Sequence, residues 1–124
     1  MSSSELSADV LDLIGRHLDS MAQVEVLLLL HRTKGLSWRA AAVSSELRME
    51  PMAAAAHLAT LVAHGLDTSD APGSYRYEPA TGALERAVDN LRAAYTARPV
   101  ALVTAIYSGP SRSFSDASRI RRRS

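Results

Sequence analysis

Histidines and carboxylates are the side chains in this sequence best suited to acid–base or metal chemistry, and their spacing argues against both. His17, His31, His57 and His64 fall on separate helical stretches or a turn apart. None forms the i, i+4 pair with an adjoining Glu that a zinc hydrolase requires. His57 and His64 are seven residues apart and can share a face, which fits partly exposed helical histidines. Asp9 with Asp12, and Glu85 with Asp89, are helical neighbours suited to a solvated face. The absence of Cys removes thiolate metal sites, cysteine nucleophiles and disulfide frameworks together. Gly-x-Gly-x-x-Gly, phosphate-loop and Gly-x-Ser-x-Gly patterns are also missing. The sequence therefore points to no catalytic residue, no metal ligand and no cofactor, and the expectation is a protein that is not an enzyme.

What remains is the chemistry of contact with a polyanion or with another protein. Arg39, Ser44, Ser45 and Arg48 lie on or at the end of one short helical stretch, and Arg76 lies in a strand-like run. All are side chains that bind phosphate oxygens. The next helical stretch turns Met52, Ala53, Ala56, His57, Ala59 and Thr60 outward when Leu58 and Leu61 face inward. Reading base edges calls for Arg, Lys, Asn, Gln or Ser/Thr at such positions. Thr60 and His57 can donate, and Met52 or Ala56 can meet a thymine methyl, but no Lys or Arg stands from Glu50 to His64. That gap keeps a second reading open, in which the alanine-rich face packs on a partner protein.

These side chains need elements to hold them. Leu11, Ile14, Leu18 and Met21 are spaced 3, 4 and 3, one stripe of a helix that begins near Ser7. Ser20 with Gln23 has the form of a capping box and predicts a restart or bend there. Val24, Val26, Leu27, Leu28, Leu29 and Leu30 predict a helix over 21–32 that is buried on most of its circumference. Gly35 supplies its left-handed stop. A short helix over 37–48 faces Trp38, Val43 and Leu47 inward. Another, over 51–64, opens on Pro51, buries Leu58, Leu61 and Val62, and is capped by Gly65. Two short helices separated by a tight turn make a helix-turn-helix. Leu66-Asp67-Thr68 and Tyr75-Arg76-Tyr77 flank the turn-rich Ser69-Asp70-Ala71-Pro72-Gly73, which predicts a hairpin.

Three helices and then a hairpin is the winged-helix order. Beyond it, Leu84, Val88, Leu91 and Tyr95 at 4, 3, 4 spacing predict a helix over 81–97, broken by Arg98-Pro99. Val100, Leu102, Val103, Ile106 and Tyr107 form a short apolar helix that stops before Gly109-Pro110. The expected fold is mainly α: a winged helix-turn-helix with a short β-hairpin wing and extra flanking helices. It divides into an N-terminal helix (1–19), the core (20–79), C-terminal dimerisation helices (80–110) and a basic, flexible tail (111–124). The flanking helices carry more apolar surface than a minimal winged domain requires. A homodimer through Leu11, Ile14, Leu18, Leu84, Val88, Leu91, Tyr95, Val103 and Ile106 would cover it.

Composition sets the frame. A chain of 124 residues, 47% apolar and 22% charged, is globular and has room for one domain. A net charge of +1 excludes a uniformly basic nucleic-acid coat protein. The charge is uneven, however. Residues 1–31 hold one base against five acids, a net of −4, whereas 112–124 hold five Arg against one Asp, a net of +4. The longest apolar run, 24–30, includes Glu25 and is far short of the roughly 20 residues that span a bilayer. The first residues lack the basic start and apolar stretch of a signal peptide. The expected location is the cytoplasm, on the nucleoid when DNA is bound.

Several runs resemble a known group. Glu25-Val-Leu-Leu-Leu-Leu-His-Arg32, Trp38, Ser45-Glu-Leu-Arg48, Leu58-Ala-Thr-Leu-Val-Ala-His-Gly-Leu66 and Tyr75-Arg-Tyr-Glu-Pro79 are similar to winged helix-turn-helix transcription regulators, broadly the MarR-like group. The similarity spans about 20–79. Arg98-Pro-Val-Ala-Leu-Val-Thr-Ala-Ile-Tyr-Ser108 and Phe114-Ser-Asp-Ala-Ser-Arg-Ile-Arg-Arg122 look like a small set of bacterial winged-helix proteins with no assigned role. The resemblance implies a dimeric regulator whose partner is double-stranded DNA. Winged helices also serve as protein-binding modules, so the fold alone does not choose between the two.

Overall fold

The computed structural model describes residues 6–108, which form six helices and three short strands. The chain resolves into two units: Ala22–Arg86, and Met1–Met21 together with Ala87–Ser124. The basic stretch expected over 111–124 lies outside the described residues.

The Ala22–Arg86 unit begins in helix α2 (Met21–Arg32), which follows helix α1 (Ala8–His17). The predicted break between the two falls at residues 18–20. Val24, Val26, Leu27, Leu28, Leu29 and Leu30 of α2 are all buried, as a helix apolar on every side must be. Its end is tied by Thr33, whose N–H reaches the Leu29 and Leu30 carbonyls and whose hydroxyl donates to Leu29 O at 2.7 Å. Gly35 then turns the chain at φ +96°.

Strand β1 (Trp38–Arg39) follows, where helix was expected from residue 37. Trp38 pairs with Tyr75 and Arg39 with Ser74, and the Trp38 indole N–H donates to the Thr33 hydroxyl at 2.9 Å. An aromatic cross-strand pair and two ladder positions outweigh one more helical turn, so helix α3 (Ala40–Leu47) starts three residues late. Val43 of α3 is buried and Leu47 half-buried.

Helix α4 (Pro51–Ala63) opens on the proline, whose fixed φ suits a first helical turn. It buries Ala54, Leu58 and Leu61 and leaves Val62 half-buried. Gly65, at φ +77°, ends the helix beside Ala80, where an added Cβ would stand 3.3 Å from the Ala80 Cβ. Strands β2 (Asp67–Ala71) and β3 (Ser74–Tyr77) form the predicted hairpin, with a bulge between Ser69 and Ala71 and Gly73 at φ +76° in the turn. All three strands are antiparallel in the order β1-β3-β2. The chain is thus mainly helical with one small three-stranded sheet.

In the second unit α1 packs on helix α6 (Pro99–Ser108). Val10, Leu13 and Ile14 form the buried stripe of α1, while Leu11 is only half-buried. Helix α5 (Gly82–Ala97), whose residues from Ala87 on belong to this unit, is capped by Thr81, whose hydroxyl accepts the Leu84 N–H at 3.1 Å. Asn90 of α5 donates to Asp9 of α1 at 2.7 Å, so Asp9 is a tie between helices rather than part of a purely solvated face. The Ser7 hydroxyl and then the Asn90 amide hold the Asp9 carboxyl below its ordinary range. The Tyr107 hydroxyl accepts the Met21 N–H at 3.2 Å.

The expected dimer stripe is largely used up inside the chain. Ile14, Leu18, Val88, Leu91 and Ile106 are at most 2% exposed, so they have no surface left to bury in a second copy. Leu11 and Leu84 are half-buried, and Tyr95 and Val103 are 37% and 39% exposed. The larger exposed apolar side chains on α6 are Val100 and Tyr107. With Val103 they are spaced 3 and 4 residues apart, on one face of a helix that carries no charge.

Candidate nucleic-acid interface

The helix-turn-helix pair, α3 and α4, is held at its turn by Ser44. The Ser44 hydroxyl donates to the Met49 carbonyl at 2.6 Å, and the Ser44 carbonyl accepts the Met49 N–H at 3.1 Å. Ser44 is buried, so its expected phosphate contact does not stand: both of its polar groups are spent on the turn. Ser45, one position on, is exposed. Arg48 is exposed in the turn itself and takes the left-handed conformation, φ 57° and ψ 51°.

Arg39 leaves β1 towards the hairpin. One guanidinium nitrogen lies 3.3 Å from the point a Cβ on Gly73 would occupy, so the exposed Arg39 side chain rests on the hairpin turn. Arg76 has a different setting from the one expected. Its guanidinium sits 2.5 Å from Glu78 Oε1 and 3.6 Å from Asp70 Oδ2, and Asp70 in turn accepts the Ser37 hydroxyl. The Glu78 hydrogen bond raises the Arg76 pKa, and the Ser37 hydroxyl lowers that of Asp70. Arg76 therefore meets solvent as one member of an acid-rich triad, not as a free cation for phosphate.

The outward face of α4 bears Met52, 80% exposed, with Ala56 and Ala59 exposed and His57 and Thr60 half-buried. From Pro51 to Ala63 it carries no Asp, Glu, Lys or Arg. Glu50 stands at its N-cap and makes no side-chain cap bond. A carboxylate there opposes the pull of the helix dipole on an anion. Across 22–86 the sequence holds six Lys or Arg and seven Asp or Glu, so the unit as a whole carries no excess of cations.

Two features escape sequence reasoning. Lys34 lies 5.7 Å from the centroid of the Tyr77 ring, a cation–π distance. Asp67, which opens β2, is buried, and neither of its carboxyl oxygens takes part in a hydrogen bond. Desolvation raises its pKa to about 8. A lone Asp beside a turn carries no local sign of burial, because the elements that cover it are remote in sequence.

Among the described residues no cluster of three or more His, Asp or Glu is placed to hold a metal. None of their helices is long and apolar enough to cross a membrane. No protein-family model, no curated protein and no solved structure matches this chain.

Proposed function

We propose that this chain is a winged-helix DNA-binding transcription regulator that takes most of its affinity from phosphate contacts outside α4. One observation carries the reading: the order α2, β1, α3, α4, β2, β3, closed by the sheet order β1-β3-β2, with the outer face of α4 exposed. A helix-turn-helix presents its second helix to the major groove in this way, and the hairpin is the wing. Arg39 and Arg48 supply the phosphate contacts, Ser45 adds a hydroxyl, and Thr60, His57, Met52 and Ala56 meet base edges and thymine methyls. Such a protein works in the cytoplasm, on the nucleoid, and two copies would match a palindromic site.

Binding of a mixed pool of duplexes, read by fluorescence anisotropy over a range of salt, tests the reading. The double variant Arg39→Ala, Arg48→Ala should weaken binding to all sequences alike and lower the log–log salt slope by roughly two, one per contact. Unchanged affinity and slope would take the phosphate contacts away from Arg39 and Arg48, and a wild type that binds no duplex would remove DNA from the reading. A second reading, a protein-docking module, is favoured by the uncharged α4 with Met52 80% exposed at its start. In that case a partner that co-purifies with the wild type should be lost on Met52→Asp.

A further inference from the structure

The base of the hairpin is built around a buried acid. Asp67 is 4% exposed, and the ladder determines what it meets. The Leu66 carbonyl accepts the Glu78 N–H at 3.2 Å. Asp67 and Tyr77 are therefore a non-hydrogen-bonded pair, the kind whose side chains stand closest, on the same face of the sheet. Tyr77 is itself buried, and its ring meets the His31 ring edge-on with centroids 5.2 Å apart. Lys34, just past α2, lies against the same ring. The end of α2 is thus joined to the hairpin through Tyr77, with Asp67 beside it.

The other elements bring little charge to this point. Helix α4, which packs on β2, has His57 as its one titratable side chain, and His64 follows its end. Strand β1, on the far edge of β3, brings Arg39, which rests on the hairpin turn. The remaining charged groups of the hairpin, Asp70 and Arg76, form the exposed triad with Glu78.

We infer that Asp67 is a proton-operated latch: as a neutral acid it lets the hairpin base close on Tyr77 and His31, and as a carboxylate it drives the base open. A buried carboxylate with no hydrogen bond is far costlier than the neutral acid, which loses only modest hydration. The sign follows from the raised folded-state pKa. Below about pH 4 both folded and unfolded chains hold the proton. Between there and about 8 only the folded chain holds it, so folding weakens as pH rises, up to tenfold per unit. Above about 8 the folded chain ionises as well, and the weakening of the hairpin base, by then complete, levels off.

Trp38, the single tryptophan, reports on this event because it pairs with Tyr75 of β3. Amide hydrogen exchange and tryptophan emission should be followed on the full chain from pH 6 to 9.5. Exchange protection over residues 67–77, corrected for intrinsic base catalysis, should fall by up to tenfold per pH unit from pH 6 and level off above about 8, while α1 stays protected. The emission should shift to the red over the same range. Asp67→Asn, which mimics the neutral acid, should abolish both changes and raise Tm at pH 8, whereas His31→Gln should retain them. A flat wild-type profile, or a transition that survives in Asp67→Asn, would overturn the latch. If Asp67→Asn does not fold, carboxyl carbon NMR of the wild type decides. A midpoint near 8 supports the inference, and one below 6 ends it.

Discussion

Arg48 holds a left-handed backbone, φ 57° and ψ 51°, in the turn between α3 and α4. It is the one non-glycine residue with positive φ among those described. A side chain there costs about 1 kcal/mol relative to glycine, which adopts this region freely. An arginine kept at such a cost fits a contact made outside the fold. Arg48→Gly should therefore raise stability by up to about 0.5 kcal/mol, net of the greater freedom of the unfolded glycine chain, and on the DNA reading it should weaken binding at the same time. Urea unfolding and anisotropy measure the two effects; a loss of stability would mean that the guanidinium supports the turn. Ser44 is the opposite kind of residue. Its hydroxyl serves the Met49 carbonyl at 2.6 Å, so Ser44→Ala should destabilise by about 1–2 kcal/mol in the same unfolding assay.

At the scale of elements, the hairpin is nearly neutral because Asp70 and Glu78 flank Arg76. The triad lies at the surface, where solvent screening leaves ion pairs little to add to stability, so its main effect is on the charge shown to a partner. Asp70→Asn with Glu78→Gln should leave Tm almost unchanged and free the guanidinium. On the DNA reading, affinity for mixed duplexes should then rise, and the log–log salt slope should steepen by up to about one. A triad that matters to the fold would show instead as a drop in Tm. On the same reading the uncharged α4 sets the limit on specificity, since only Thr60 and His57 can donate to a base edge. Thr60→Ala should alter sequence preference by about 1–3 kcal/mol if that contact is made, with little change in binding to unrelated sequences.

For the whole molecule, the apolar residues that promised a dimer are mostly spent on the chain's own core. What remains for a second copy is the α6 face of Val100, Val103 and Tyr107, and separately the exposed Tyr95 of α5. The dimer prediction therefore moves from Ile14, Leu18, Val88, Leu91 and Ile106 to that face. Sedimentation at micromolar concentration should give about twice the 13.3 kDa chain mass, and Val100→Asp with Tyr107→Asp should return it to one. A wild-type monomer across that range would show that the face has another occupant or none. Val100→Asp alone should change single-copy stability little, because that position is exposed, whereas Tyr107→Asp also removes the acceptor of the Met21 N–H.

Most helix boundaries were legible from the sequence, because they depend on local chemistry. The apolar run of α2, Gly35, Pro51, Gly65 and Pro99 each act within a turn of their own position, and α2, α4, α5 and α6 begin and end within a residue or two of expectation. The hairpin was legible for the same reason, since Pro72-Gly73 makes a turn whatever surrounds it. Strand β1 was not. A two-residue strand exists only where β3 offers it a ladder, and nothing within Trp38-Arg39 states where β3 will be. The residue roles divide along the same line. Met52 was recognisable as outward-facing from spacing alone, and Arg39 and Arg48 as exposed from residue type. The burial of Asp67, the turn-holding role of Ser44, the acids around Arg76 and the filling of the supposed dimer stripe were all decided by which remote faces meet. Local sequence determines where the chain bends and which side of each element is apolar; only the tertiary structure decides which apolar side finds a partner within the chain and which is left for another molecule.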